Sequence, residues 1–228
     1  MALVQGWDDT KSALRSWCHD PGQVLRPWIL GSFAVAAALL LATWAIALLS
    51  PADPGLLLRF AGVTDPAGIG DYGFVLFRNS LVLTLHALAC VAGFIAGSSL
   101  PQIAEGYSGW YRRLHEIARP AAIAFVVCAT LFSLATQAFV LGGDTASLAA
   151  QWHVSSGALL GVLSLHAVPE LVALFLPLAA WTMASRSKEW ENLLAATFAT
   201  VAISVPVLLV AGAIEVWVTP RLLLLIVS

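Results

Sequence analysis

His166 and Glu170 stand four residues apart in His166-Ala-Val-Pro-Glu170, inside a strongly apolar stretch. Each can carry a proton or ligate a cation. An ionisable side chain at the centre of a membrane helix costs about 2.5–3.5 kcal/mol on insertion scales, so its presence asks for a partner or a function. Glu215, in Ile214-Glu-Val-Trp-Val-Thr-Pro220, is a second buried-looking carboxylate. Asn79, His86 and Gly93 recur every seven residues and share one helical face.

This set admits several chemistries. His166 and Glu170 form either a hydrogen-bonded pair that staples a helix break, a proton-relay or ligand-binding pair, or part of a metal site. A metal site needs a third ligand, for which His86 and Glu215 are the candidates. No His-Glu-x-x-His spacing is present, and no metal or cofactor is assigned. Glu215 either sits at headgroup level beside Trp217, solvated or paired with Arg221, or faces the bundle and joins His166 and Glu170. No catalytic residue is assigned, and the chain reads as a non-enzyme.

The elements that hold these residues follow from composition. Only 11% of the 228 residues are charged while 60% are hydrophobic, too few charges to clothe a soluble domain of this length. Mean hydropathy is +0.87, which leaves an integral membrane protein. A net charge of −2 argues against nucleic-acid binding. The cysteines, Cys18, Cys90 and Cys128, form no Cys-x-x-Cys pair, so neither a disulfide scaffold nor a cysteine zinc site is indicated. Residues 1–27 mix charge with Trp and do not read as a secretory signal.

About 20 apolar residues cross a bilayer as a helix. Four segments qualify: Trp28 to Leu49, Phe74 to Leu100, Ala121 to Leu141 and Leu193 to Val216. The third is framed by Pro120 and by Gly142-Gly143, which reads as a start and a stop. Residues 154–185 are too long for one straight crossing and short for two. Pro169 predicts a break there, at His166–Pro169, between half-helices 154–166 and 169–185. The expected fold is an all-α polytopic transmembrane bundle of five to six spans, with this broken helix and interfacial amphipathic helices.

Lys11, Arg15 and Arg26 precede the first span, and Arg112, Arg113 and Arg119 follow the second. By the positive-inside rule both regions face the cytoplasm of an inner, plasma membrane. Arg186 and Lys188 on the same side favour five crossings over six. Leu3, Trp7, Leu14 and Trp17 line one face of the N-terminal segment. Trp110, Leu114, Ile117 and Ala118 line one face of 108–119, opposite Arg112, Arg113, Glu116 and Arg119. Both suit helices lying on an anionic leaflet. The chain thus divides into an interfacial segment, 1–27, and one transmembrane domain, 28–228.

Gly93 with Gly97, and Gly157 with Gly161, have the small-xxx-small spacing that lets helices approach closely, within the chain or between copies in a homo-oligomer.

Together these blocks resemble the stage II sporulation protein M family of bacterial and archaeal membrane proteins. The matching pieces are Arg78-Asn79, Gly93, Gly97, Gly157, Gly161, His166-Ala-Val-Pro-Glu170-Leu171, and Ile214-Glu215 with Thr219-Pro220, over roughly residues 74–220. The family commonly has a paired Asn where this chain has Arg78-Asn79, and a Gly where it has Ala167. The resemblance implies an inner-membrane scaffold that assembles with cell-envelope, peptidoglycan-remodelling or transporter proteins. The alternative is a permease subunit or small channel with a His/Glu polar pathway, since discontinuous helices with charges at the break are typical of transporter sites.

Overall fold

The computed structural model describes residues 2–53, 60–99 and 109–227; within these, the side chains of residues 2–6, 98–99, 111–112, 114–116, 118–119 and 122 are not described. The chain is helical, with no strand among the described residues: α1 Ala2–Trp17, α2 Pro21–Leu49, α3 Ile69–Phe94, α4 Trp110–Gln151, α5 Ser156–Ser187, α6 Leu193–Ala213 and α7 Thr219–Val227. A π turn, Ile95–Ser99, extends α3, and a second, Ile214–Val218, joins α6 to α7. Five of the helical stretches are long and apolar enough to cross a membrane. This is the all-α, multi-pass bundle expected from composition.

Local chemistry sets the helix starts. Asp20 accepts a hydrogen bond from the Gln23 amide at 3.3 Å, just ahead of Pro21 at the first helical position. Asp71 reaches back to the Gly68 amide at 2.8 Å, opening α3. Ser155 accepts from the Ala158 amide at 3.1 Å, opening α5.

Three expectations about helix limits are corrected. First, α5 runs unbroken from Ser156 to Ser187, so the break at His166–Pro169 does not exist. Pro169 removes one backbone hydrogen bond, whereas opening the helix in an apolar setting would strand several polar groups. Second, Gly142-Gly143 does not stop α4, which continues to Gln151. A Cβ at Gly142 would lie 2.6 Å from the Ile46 side chain and 3.1 Å from the Thr43 carbonyl, so glycine there serves close approach to α2. Third, residues 110–119 are not a separate interfacial helix but the first turns of α4, which passes through Pro120. Trp110 and Ile117 are exposed there; the side chains of Arg112, Leu114, Glu116, Ala118 and Arg119 lie outside the described residues, as do Leu3 and Leu100.

The helices contribute to two compact units. The first comprises 1–32, 82–131 and 174–204. Its core joins Trp28 of α2, Leu176, Ala179 and Ala180 of α5, and Ala196 of α6. Trp17 meets Trp28 edge-on, with ring centroids 5.3 Å apart, so α1 is tied to this core by its last turn. Gly93 and Gly97 are both consumed here. A Cβ at Gly93 would lie 2.5 Å from Trp181 Nε1, and one at Gly97 would fall inside the Trp190 indole.

The second unit comprises 33–81, 132–173 and 205–228. Its core joins Leu148 and Ala149 of α4, Leu159 of α5 and Leu223 of α7, with Phe60 and Trp152 packed against it. Gly62, at φ +84°, brings the Phe60–Thr64 loop against Pro220, where a Cβ would be 2.6 Å away. Tyr72 donates to the Leu209 carbonyl at 3.0 Å and its ring lies 5.1 Å from that of Trp217, fixing α3 against α6 and the turn after it.

Large apolar side chains point outward along the spans, among them Leu41, Leu81, Phe132, Phe139 and Phe198. Outside a membrane such a surface would be an aggregation liability; inside one it is the lipid contact.

Candidate polar site in the second unit

Because α5 is continuous, His166 and Glu170 are one turn apart on a single helical face. Glu215 and Thr219 repeat this spacing on the last span: Glu215 lies inside the π turn Ile214–Val218 and Thr219 opens α7. π turns widen a helix locally and occur often at functional sites. Arg78 and Asn79 come from α3. Glu215 faces this group, with Arg78 as an ion-pair partner and Glu170 beside it.

Four of these side chains are deeply buried: Asn79, His166, Glu170 and Thr219. His166 Nδ1 and Thr219 Oγ1 form a hydrogen bond of 2.9 Å. Arg78 Nη2 approaches Glu215 Oε1 to 3.9 Å; the guanidinium is half exposed and the carboxylate largely covered. Glu170 lies against both Asn79 and Glu215. Yet Glu170 Oε2, Glu215 Oε2 and Asn79 Nδ2 are buried without a hydrogen-bond partner. The His166–Glu170 staple is therefore replaced by a His166–Thr219 bond between two helices, and the carboxylates are left partly unsatisfied. One ligating atom from each of His166, Glu170 and Glu215 lies within 4.8 Å of the others.

His86 belongs to the first unit. Its Nδ1 bonds the Leu174 carbonyl at 2.7 Å, and its ring packs at 5.5 Å from Phe175. Next to it on α3, Cys90 Sγ donates to the Pro177 carbonyl at 3.1 Å. Both are held by backbone carbonyls of the proline-containing part of α5. His86 thus has a packing role of its own within that unit. Gly157 and Gly161 are exposed on α5: a Cβ at Gly161 would meet nothing within 4 Å, and one at Gly157 only Trp44 Nε1 at 3.7 Å.

In the sequence Thr219 is marked only by its Thr-Pro block. The signal for its role is its four-residue offset from Glu215, which mirrors His166 and Glu170. Arg78 stood out as a charge within a span, but its pairing with Glu215 joins residues far apart in the chain.

Fold and site together define a multi-pass helical membrane protein with a buried, charged cluster in one of its two units. Compared with protein families, curated proteins and solved structures, the chain has no match.

Proposed function

We propose that this chain is a non-enzymatic assembly component of a cell inner membrane, similar in role to the stage II sporulation protein M family, and that it scaffolds envelope-remodelling or transporter proteins. The observation that carries this reading is the fate of the two glycine pairs. Gly93 and Gly97 are filled by Trp181 and Trp190 of the same chain, whereas Gly157 and Gly161 are open on the surface of α5. Glycines gain nothing in a helix interior, where each costs about 0.5–1 kcal/mol against Ala. An open pair is useful when another helix packs on it, from a second copy or from a partner. The N-terminus and the start of α4 face the cytoplasm in this reading, as the Lys and Arg distribution indicates.

The test is cross-linking and size analysis of the full chain in native-like lipid, comparing wild type with Gly157→Leu/Gly161→Leu. Loss of the assembled species with an intact monomer supports the scaffold. An unchanged assembly state removes it.

The second reading is a permease subunit or small channel, favoured by the clustering of Arg78, His166, Glu170 and Glu215 within one unit. Proteoliposome flux separates the two. If Glu170→Gln abolishes proton or solute flux while assembly persists, transport takes precedence. If wild type shows no flux, that reading fails.

A further inference from the structure

An assembly role leaves the charged cluster unexplained. Burying two carboxylates beside one arginine is expensive unless the remaining charge is compensated. Arg78 compensates Glu215 only in part, at 3.9 Å and from a half-exposed position. Glu170 is only 8% exposed, and its Oε2 has no donor. Glu215 Oε2 has none either. The two carboxyl groups also lie against each other beside Arg78, so one shared proton or one bound cation would complete the compensation.

We infer that His166, Glu170 and Glu215 bind a divalent transition cation of the Zn2+ type within the membrane domain. Their ligating atoms lie within 4.8 Å of one another. A tetrahedral zinc site with bonds of about 2.0–2.2 Å needs ligand atoms about 3.4 Å apart. Closing from 4.8 Å to that spacing requires a side-chain adjustment, and Glu215, the least buried of the three, has the most room to make it. One imidazole with two carboxylates leaves the fourth position for water, the open arrangement of zinc sites with three protein ligands. The mixed nitrogen and oxygen donors select against Mg2+, which favours oxygen ligands and retains several waters.

The surroundings fit a ligand set. Metal-bound histidines characteristically use their second ring nitrogen to hold an outer partner. His166 Nδ1 has such a partner in Thr219 Oγ1, and the tautomer in which Nδ1 donates to that hydroxyl would leave the Nε2 lone pair for the cation. Asn79 lies against Glu170, placed to brace the carboxylate as it turns. Arg78 offsets part of the charge of Glu215, so two ligands of like charge can share the site. This inference stands apart from the scaffold reading, and neither oligomer nor flux data decide it.

The experiment uses the full chain in detergent, stripped by a chelator and titrated with Zn2+, and with Co2+ as a spectroscopic probe. Wild type should bind one equivalent, show the visible absorption of tetrahedral Co2+, and melt at a higher temperature with Zn2+. Glu170→Gln and Glu215→Gln should each weaken binding by at least tenfold. Thr219→Val, which removes only the outer partner, should weaken it about 10–100-fold. His19→Ala/His153→Ala, which removes two exposed imidazoles, should leave it unchanged. The inference is overturned if wild type neither binds an equivalent nor melts higher with Zn2+, or if Glu170→Gln binds as tightly as wild type. The wild-type readouts stand even where a variant fails to fold. Stability that rises in Glu170→Gln without any Zn2+ response in wild type assigns the carboxylates to a shared proton instead, and also overturns it.

Discussion

His166 on α5 and Thr219 at the start of α7 are joined by a hydrogen bond of 2.9 Å between two buried side chains. A threonine hydroxyl can donate or accept, so it suits either tautomer of the imidazole. Thr219→Val keeps the shape and strands the imidazole nitrogen. We predict a loss of about 1–3 kcal/mol of stability, and near-wild-type behaviour for Thr219→Ser. Thermal melts in detergent check both; equal melting of the Val and Ser variants would contradict this.

The two glycine pairs should respond in opposite directions. Gly93→Ala places a Cβ 2.5 Å from Trp181 Nε1, and Gly97→Ala intrudes on the Trp190 ring. Overpacking of this kind costs about 1–3 kcal/mol. Gly161→Ala meets open space, so the monomer should be unchanged or gain up to about 1 kcal/mol from helix propensity. Denaturation of the monomeric species measures the contrast, and destabilisation by Gly161→Ala would refute it.

His153 and Lys188 have positive φ, 55° and 62°, where each follows a helix. At His153 the Val154 amide bonds the Ala149 carbonyl and the His153 amide bonds that of Ala150, the paired bonds of a Schellman end. At Lys188 the Glu189 amide reaches back to the Ala184 carbonyl. A left-handed residue with a Cβ costs about 1–2 kcal/mol. His153→Gly and Lys188→Gly should therefore raise the melting temperature, while His153→Val should lower it.

Much of the architecture could be read from hydropathy and much of the site could not. Apolar runs located the spans because a bilayer demands length, a property counted along one segment. Pro169, Gly142 and Pro120 misled because a break signal is local, whereas helix continuity depends on what surrounds the freed carbonyl or the missing Cβ. His166, Glu170 and Glu215 were visible as costly residues in apolar stretches. The Thr219 partnership and the Arg78–Glu215 contact were not, since each joins different spans. His86 shows the reverse: its type suggested chemistry, while a carbonyl of α5 already occupies its Nδ1.

The cysteines give a topological check. Cys90 is buried, and Cys18 and Cys128 are exposed. Cys128 lies within an apolar span, so its exposure is to lipid, out of reach of a water-borne reagent. A membrane-impermeant maleimide should label Cys18 alone in sealed vesicles open to the N-terminal face. Labelling of all three should require denaturation. Modification of Cys128 before denaturation would show that α4 does not cross there.

Arg78 and Glu215 should couple weakly. The contact is long, so a double-mutant cycle with Arg78→Ala and Glu215→Gln should give about 1 kcal/mol or less. A larger coupling would mean that the pair closes further than its 3.9 Å spacing.

The π turn at Ile214–Val218 has a consequence for chain length. Relative to an α-helix it carries one additional residue in the ladder, in effect a single-codon insertion between Glu215 and the helix that follows. Deleting one residue of the turn would let it close into an ordinary α-helix with the helix beyond still in phase, whereas closing it without a deletion would turn everything beyond it by about 100°. In that second case Glu215 would keep its place, but Thr219 would swing away from His166. Composition and hydropathy would not change, so the damage would be one of phase alone.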